Sequence, residues 1–377
     1  MTVRQKIVRE IQERGPMPFS RYMEMCLYDP EFGYYSRNAE KFGKAGDFYT
    51  SSDVHAVFGR LLARQFEEMW RMLGSPAEME VLELGPGRGL FAQDVLDWSE
   101  KKFPEFFQAV RYGLLESSSV LRKRLRKTLE RHGGSGQAVV VEAGEVDLWR
   151  TRSTEVPVIV FANEFFDALP VEIISDKGTL RIGAQGEQFV EEWAETSAAE
   201  FEFLDRHGAH PEAGDRTEVC LVGQHWMTRI AKSIERGFVI AIDYGYTREE
   251  QLAGRHMETV MAYRQHSASA NPFEAPGEQD ITAHVNFTAL AAAAESGGMF
   301  VHKLRTQSQF LLGVGENNQF ADAFEECSLP QEKAKVALQL KHLVTPAGVG
   351  ETFHVMVASK GVAASEAEKL SGLSLGK

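Results

Sequence analysis

At 377 residues with 43% hydrophobic side chains, the chain is long enough for one large α/β domain with insertions or for two domains. A formal net charge of −13 repels nucleic-acid phosphates, which makes nucleic acid a disfavoured partner. Cys26, Cys220 and Cys327 lie far apart without CxxC spacing, so neither a disulfide framework nor a metal site is indicated and a reducing compartment fits.

The N-terminus, Met1 to Arg14, carries Val3, Ile7, Val8 and Ile11 among charges. That is the pattern of an amphipathic helix and not of a secretory leader. No other segment is apolar for long enough to span a bilayer, so cytoplasmic residence without membrane insertion is the expectation. Tyr28-Asp29-Pro30 and Phe32-Gly33-Tyr34-Tyr35 break the helical pattern, and the glycine-rich run Lys41 to Ser52 is a candidate lid. Within it, Gly46-Asp47-Phe48-Tyr49 would close over a ligand, with Asp47 meeting the substrate or an amino group; an Asx-type turn is the plain alternative. Asp53 to Leu73 then has Val57, Leu61, Leu62, Phe66, Met69 and Leu73 at helical spacing.

From Glu80, strand and helix patterns alternate: strands at Glu80 to Leu84, Val110 to Glu116, Ala138 to Glu142 and Val156 to Ala162, helices at Gly89 to Lys102 and Ser117 to Arg131. Such short crossovers predict a doubly wound parallel sheet. Val171 to Trp193 reads as short hairpins turning at Lys177-Gly178 and Gln185-Gly186, and the alternation resumes with a helix near Gly223 to Glu235 and a buried strand, Phe238 to Ile242, ending in Asp243-Tyr244-Gly245. A second irregular insertion, Tyr246 to Asp280, precedes a helix around Phe287 to Ala294, a strand at Met299 to Leu304, helices around Asn317 to Leu343 and a strand at Phe353 to Ser359. The expected organisation is an N-terminal helical region with its lid (1–75), a main domain (76–362) with insertions near 171–215 and 246–280, and a frayed tail (363–377).

A strand running into Gly85-x-Gly87-x-Gly89 and then a helix makes a tight turn that a ligand can approach closely. The dinucleotide fingerprint is G-x-G-x-x-G, whereas the third glycine here comes one position early, and no Gly-Lys-Ser/Thr follows as a Walker loop requires. Acidic Glu83 suits a cofactor bearing an amino group and a sulfonium better than one bearing phosphates, and S-adenosylmethionine is such a cofactor. Glu116, ending the next strand, is placed to accept hydrogen bonds from ribose hydroxyls, although a carboxylate favoured by the following helix dipole is the bland reading. Glu142, Ala143, Gly144 or Glu145 would border the adenine.

Ala162-Asn163-Glu164-Phe165-Phe166-Asp167-Ala168-Leu169-Pro170 puts polar groups at the carboxyl edge of the sheet, where open α/β folds bind ligands. On a helical turn Glu164 and Asp167 share a face and fix a cation; alternatively they are first-turn acids of a helix capped by Asn163. An arginine acceptor needs such acids, because a guanidinium stays protonated and a carboxylate aims it by paired hydrogen bonds. His55 and His284 are weaker base candidates, and Phe103, Phe106 and Phe107 read as packing.

Ser20-Arg21-Tyr22-Met23, Leu27-Tyr28-Asp29-Pro30, Gly33-Tyr34-Tyr35, Gly46-Asp47-Phe48, the Glu83 to Gly89 loop, Asn163 to Val171, Ile242-Asp243-Tyr244-Gly245, Pro276-Gly277-Glu278 and Asp280-Ile281-Thr282-Ala283-His284-Val285 together resemble the MidA-like methyltransferases over nearly the whole chain. The resemblance implies a class I methyltransferase Rossmann-like fold, with a mostly parallel seven-stranded sheet covered by helices on both faces, an N-terminal helical region and inserted hairpins. It implies methyl transfer from S-adenosylmethionine, and in the mitochondrial branch symmetric dimethylation of an arginine in a respiratory complex I subunit. A protein acceptor, with a respiratory complex subunit as one instance, is the partner so implied. Ser52, Asp53 and Asn286 depart from the family's usual proline, glutamate and aspartate, which bears on the acceptor. The cofactor-binding candidates are therefore Glu83, Gly85, Pro86, Gly87, Gly89, Glu116, Asn163 and Gly46, and the catalytic candidates Glu164, Asp167 and Asp47. A small-molecule methyltransferase and a non-catalytic assembly factor remain alternative readings.

Overall fold

The computed structural model describes residues 1–37, 56–142, 156–264 and 267–375. The lid candidate with Gly46 and Asp47, together with His55 and the 143–145 adenine border, lies outside them. In chain order the strands are β1 (Met17–Pro18), β2 (Met79–Leu84), β3 (Val110–Glu116), β4 (Ala138–Glu142), β5 (Val158–Asn163), β6 (Glu172–Ser175), β7 (Gly178–Gln185), β8 (Gln188–Ala194) and β9 (Arg216–Val219). They continue with β10 (Gly237–Tyr246), β11 (Met261–Arg264), β12 (Ser267–Ser269), β13 (Asp280–Thr282), β14 (Val285–Asn286), β15 (Phe300–Val301), β16 (Arg305–Thr306) and β17 (Phe353–Lys360).

The main sheet runs β15-β17-β10-β5-β2-β3-β4, with β14 added to β10 and β16 to β17. From β4 to β10 the strands are parallel. β17 is antiparallel to β10 from Gly237↔Lys360 to Tyr244↔Phe353, and β15 and β16 are antiparallel to β17. The expected seven-stranded, mostly parallel sheet is a nine-stranded mixed one, parallel from β4 to β10 and at β14 and antiparallel at β15, β16 and β17. The strand read at Met299 to Leu304 splits: buried His302 turns to Ser359 at 2.9 Å, and the ladder with β17 resumes only at Arg305.

β5 reads Val-Ile-Val-Phe-Ala-Asn and is buried along almost its whole length, as a strand covered on both faces must be. Alternation sends Ile159 and Phe161 to one side, against Leu61, Leu62 and Phe66 of helix Ala56–Met72. It sends Val160 and Ala162 to the other, against Met227 and Ile230 of helix Leu221–Ser233 and Leu290 of helix Phe287–Ser296. At roughly 1.5–3 kcal/mol for each large apolar side chain buried, these two layers are the main source of stability.

The insertions form more than isolated hairpins. β1, β7, β6 and β9, with β8 on β7, make a second, antiparallel sheet, and β12-β11-β13 a third. The two-residue turns at Asp176-Lys177 and Gly186-Glu187 set the register of the first insertion. Val3, Ile7, Phe19, Leu180, Ile182 and Ile281 share one core, so the N-terminal helices and both insertions pack as a single layer. Residues 364–375 are a further correction: they form two helical turns, and Ala367, Leu370 and Leu373 join the main core, because small residues let this segment lie close against helix Gln307–Glu316. The helix expected from Ser117 to Arg131 is two pieces, Ser119–Thr128 capped by Ser118 and Glu130–Gly134.

Candidate active site

The carboxyl ends of β2, β3 and β5 converge on a cavity of about 500 Å³, within the usual range for small-molecule sites. Gly85, Gly87 and Gly89 have φ of 62°, 54° and 75°, a region that only glycine occupies without cost, and this lets the chain reverse from β2 into helix Leu90–Lys102. Their surroundings differ. A Cβ on Gly85 would lie 3.1 Å from the Phe165 ring and one on Gly89 2.6 Å from Leu125, whereas one on Gly87 meets nothing within 4 Å. Gly85, Pro86 and Gly87 line the cavity; Gly89 is needed for packing beneath it.

Two buried carboxyls flank the loop. Glu83 accepts the Tyr112 hydroxyl at 2.9 Å, and burial pushes its pKa up to about 8. Glu116 accepts the Ser118 N–H at 2.8 Å; burial raises it to about 7, against the pull of neighbouring N–H groups and Arg122. Each favours a ligand that donates hydrogen bonds or carries positive charge.

After β5 the chain makes an irregular turn, not the helix start read from the sequence. Asn163 caps no helix; its Nδ2 donates to Glu164 at 3.2 Å. Glu164 adopts φ 51°, a strained conformation for a non-glycine residue, held by its N–H on the Ile242 carbonyl at 2.9 Å. The turn is capped from β10: Oδ2 of Asp243 accepts the N–H groups of Phe165, Phe166 and Asp167. Asp167 accepts the Tyr244 hydroxyl on Oδ2 at 2.5 Å, and burial raises it to about 6. Asn163, Glu164 and Asp167 all line the cavity, and among the described residues Oδ1 of Asn163 and of Asp167 are buried without a partner.

The N-terminal region builds the opposite wall, which the residue-by-residue reading missed. The Tyr28 hydroxyl donates to the Ala168 carbonyl at 2.8 Å and that of Tyr35 to Oδ1 of Asp280 at 3.0 Å. Tyr28, Tyr35 and Asp280 face the cavity, and Trp226 stands edge-on to Phe165 at 5.7 Å. The signal available was that Tyr28, Tyr35 and Asp280 sit inside unusually long motifs. His284 pairs with His256, Nδ1 to Nδ1 at 3.1 Å, and burial lowers it to about 4; it is absent from the cavity lining.

A family model described as "Putative S-adenosyl-L-methionine-dependent methyltransferase" matches residues 61–305, which include the glycine loop, Glu116 and the Asn163 turn. The chain belongs to this methyltransferase family. A protein of Drosophila melanogaster named protein arginine methyltransferase NDUFAF7 homolog, mitochondrial, is 30% identical over 96% of this chain and 85% of its own length. The human protein arginine methyltransferase NDUFAF7, mitochondrial, is 25% identical over 92% of this chain and 81% of its own length. A crystal structure of a Burkholderia thailandensis protein bound to S-adenosyl-homocysteine superposes with a TM-score of 0.79 at 26% identity, covering 98% of this chain and 94% of that one. This methyltransferase of α/β fold uses S-adenosyl-L-methionine. The cavity fits that cofactor: it has the volume, open space at Gly87 where an added Cβ would meet nothing within 4 Å, the Glu116 carboxyl on its wall, and, among the described residues, the buried Oδ1 of Asn163 without a partner.

Proposed function

We propose that this methyltransferase modifies an arginine side chain of a protein, with Glu164 and Asp167 holding the guanidinium. The observation that carries this reading is the Oδ1 atom of Asp167, buried and, among the described residues, unpartnered on the cavity wall beside Glu164. A buried carboxyl oxygen is costly without a donor, and a guanidinium offers several in one plane. The names of the relatives from fly and human support the same acceptor. A protein side chain has a way in, since the cavity reaches half-exposed Arg21 and Glu24. Among protein acceptors, we place a respiratory complex subunit first, on the family resemblance.

S-adenosyl-L-methionine supplies an electrophilic methyl group on a sulfonium. Gly85 and Gly87 leave room for its approach, and Glu116 would accept from its ribose and Asn163 through Oδ1. Glu164 and Asp167 orient the acceptor nitrogen, so most of the rate comes from positioning. Asp167, raised to about 6, is ionised near neutral pH and takes the proton released as the guanidinium nitrogen gains its methyl group.

The test is transfer of labelled methyl from S-adenosyl-L-methionine to an arginine-rich peptide, followed by hydrolysis and amino-acid analysis. Label in methylarginine is expected. Label confined to lysine, to carboxyl esters or to small molecules would overturn the reading.

A further inference from the structure

Asp167 is held twice by β10. Its backbone N–H is bound by Asp243 at 3.3 Å, and its Oδ2 accepts the Tyr244 hydroxyl at 2.5 Å, from the residue next to Asp243 on β10. Thr282 of β13, which lines the cavity, opposes the burial that raises the Tyr244 hydroxyl. The Tyr244 ring is fixed edge-on between His284 at 5.3 Å and Phe353 at 5.5 Å. β10, with Thr282 of β13 and a packed ring behind it, therefore fixes one carboxyl oxygen, while among the described residues the other has no partner.

We propose that Tyr244 is a positioning residue for methyl transfer: by occupying Oδ2 of Asp167 it aims Oδ1 at the acceptor and sets the proton affinity of this carboxylate. The proposal rests on the reading of Asp167 as the acceptor's partner. A hydroxyl donor stabilises the ionised form, opposing the burial that raises Asp167. The other titratable groups around the pair push the opposite way or stay neutral. Asp243, itself raised by burial, lies behind the turn, and His284 is lowered by burial. Tyr28, Tyr35 and Tyr263, each raised by burial first, are un-ionised neighbours that feel both Asp167 and Asp280. Tyr244 is thus the specific donor that keeps Asp167 available as a base at neutral pH.

The test compares full-length wild type, Tyr244→Phe and Thr282→Val, with Asp167→Asn as the assignment control. Carboxyl carbons labelled in aspartate are followed by NMR against pH. The Phe ring preserves the contacts with His284 and Phe353, so the variant is expected to fold, and Thr282→Val reads the same network should it not. Losing the donor should move the Asp167 midpoint up by about one pH unit in Tyr244→Phe, and by less in Thr282→Val. S-adenosylhomocysteine affinity should stay within about twofold. With the arginine-rich peptide, kcat should fall about tenfold or more, with the acidic limb of the rate profile moving up by the same interval. An unchanged Asp167 midpoint, or a uniform loss of rate without a shifted limb, would overturn the proposal. Should wild type leave peptide arginine unmodified while the midpoint shift appears, the acceptor reading falls and the Tyr244–Asp167 coupling stands.

Discussion

Asp243 on β10 holds the backbone of Phe166 beyond β5: its Oδ2 accepts that N–H at 3.0 Å, with Phe165 and Asp167 bound to the same oxygen at 3.2 and 3.3 Å. One side chain thus serves as the cap for a turn 77 residues earlier. In Asp243→Ala three inward N–H groups lose their acceptor, at a cost of about 2–4 kcal/mol. Asp243→Asn keeps an acceptor oxygen and should recover at least half of that. Urea unfolding checks it; equal stability of the two variants would show that the cap is dispensable.

The loop glycines separate by environment. Gly87→Leu places its side chain in the cavity and should reduce S-adenosylhomocysteine affinity by about a hundredfold, while the left-handed backbone costs about 1–2 kcal/mol. Gly89→Leu meets Leu125 and should lower stability more than that. Calorimetry and thermal unfolding of both variants give the comparison, and a reversed order would contradict the placement of the loop.

Glu116 makes cofactor affinity depend on pH. Its carboxyl is raised to about 7 by burial, and ribose hydroxyls would favour the ionised form, so binding releases a proton. Affinity for S-adenosylhomocysteine should therefore rise by about tenfold between about pH 6 and about pH 7.5 and then level off. Glu116→Gln should bind more weakly and lose most of that slope. Glu83, raised to about 8, is the control: Glu83→Gln should keep the Glu116 step.

Glu218 on β9 clamps the second insertion, accepting from the N–H groups of Thr259 at 2.8 Å and Val260 at 3.2 Å and from the Thr259 hydroxyl at 2.9 Å. Burial raises its pKa from 4.5 to about 7. A carboxyl raised on folding binds its proton more tightly in the native state. Its contribution is complete below the unfolded value and is lost as pH rises through about 7. Relative to Glu218→Gln, the wild type should therefore lose about 2–3 kcal/mol between about pH 5 and about pH 8. Denaturant curves at the two pH values test this; a constant difference would contradict it.

Local patterning made the central sheet legible. The apolar runs of β2, β3, β4 and β5 and the glycine turn are each encoded within a few residues, and their observed bounds differ from the reading by two residues or fewer. The Asn163 turn was legible as a site but not as a shape. Its conformation depends on Asp243, far away in the chain, so local spacing suggested a helix instead. The same reason hid Tyr28, Tyr35 and Asp280, which reach the cavity only because the N-terminal layer folds over the insertions. The tail misled through its composition: small residues read as fraying are those that let Gly372 approach Phe310 and Gln65.

Glu164 combines a left-handed backbone at φ 51° with a side chain on the cavity wall, a combination in which backbone strain is kept where it serves the site. The most direct measurement pairs S-adenosylhomocysteine calorimetry with labelled methyl transfer to an arginine-rich peptide, for wild type and Glu164→Gln. We expect affinity unchanged within about twofold and transfer reduced by about a hundredfold or more, the pattern of a group that acts on the acceptor. Transfer at the wild-type rate by Glu164→Gln would contradict the placement of the acceptor at this turn.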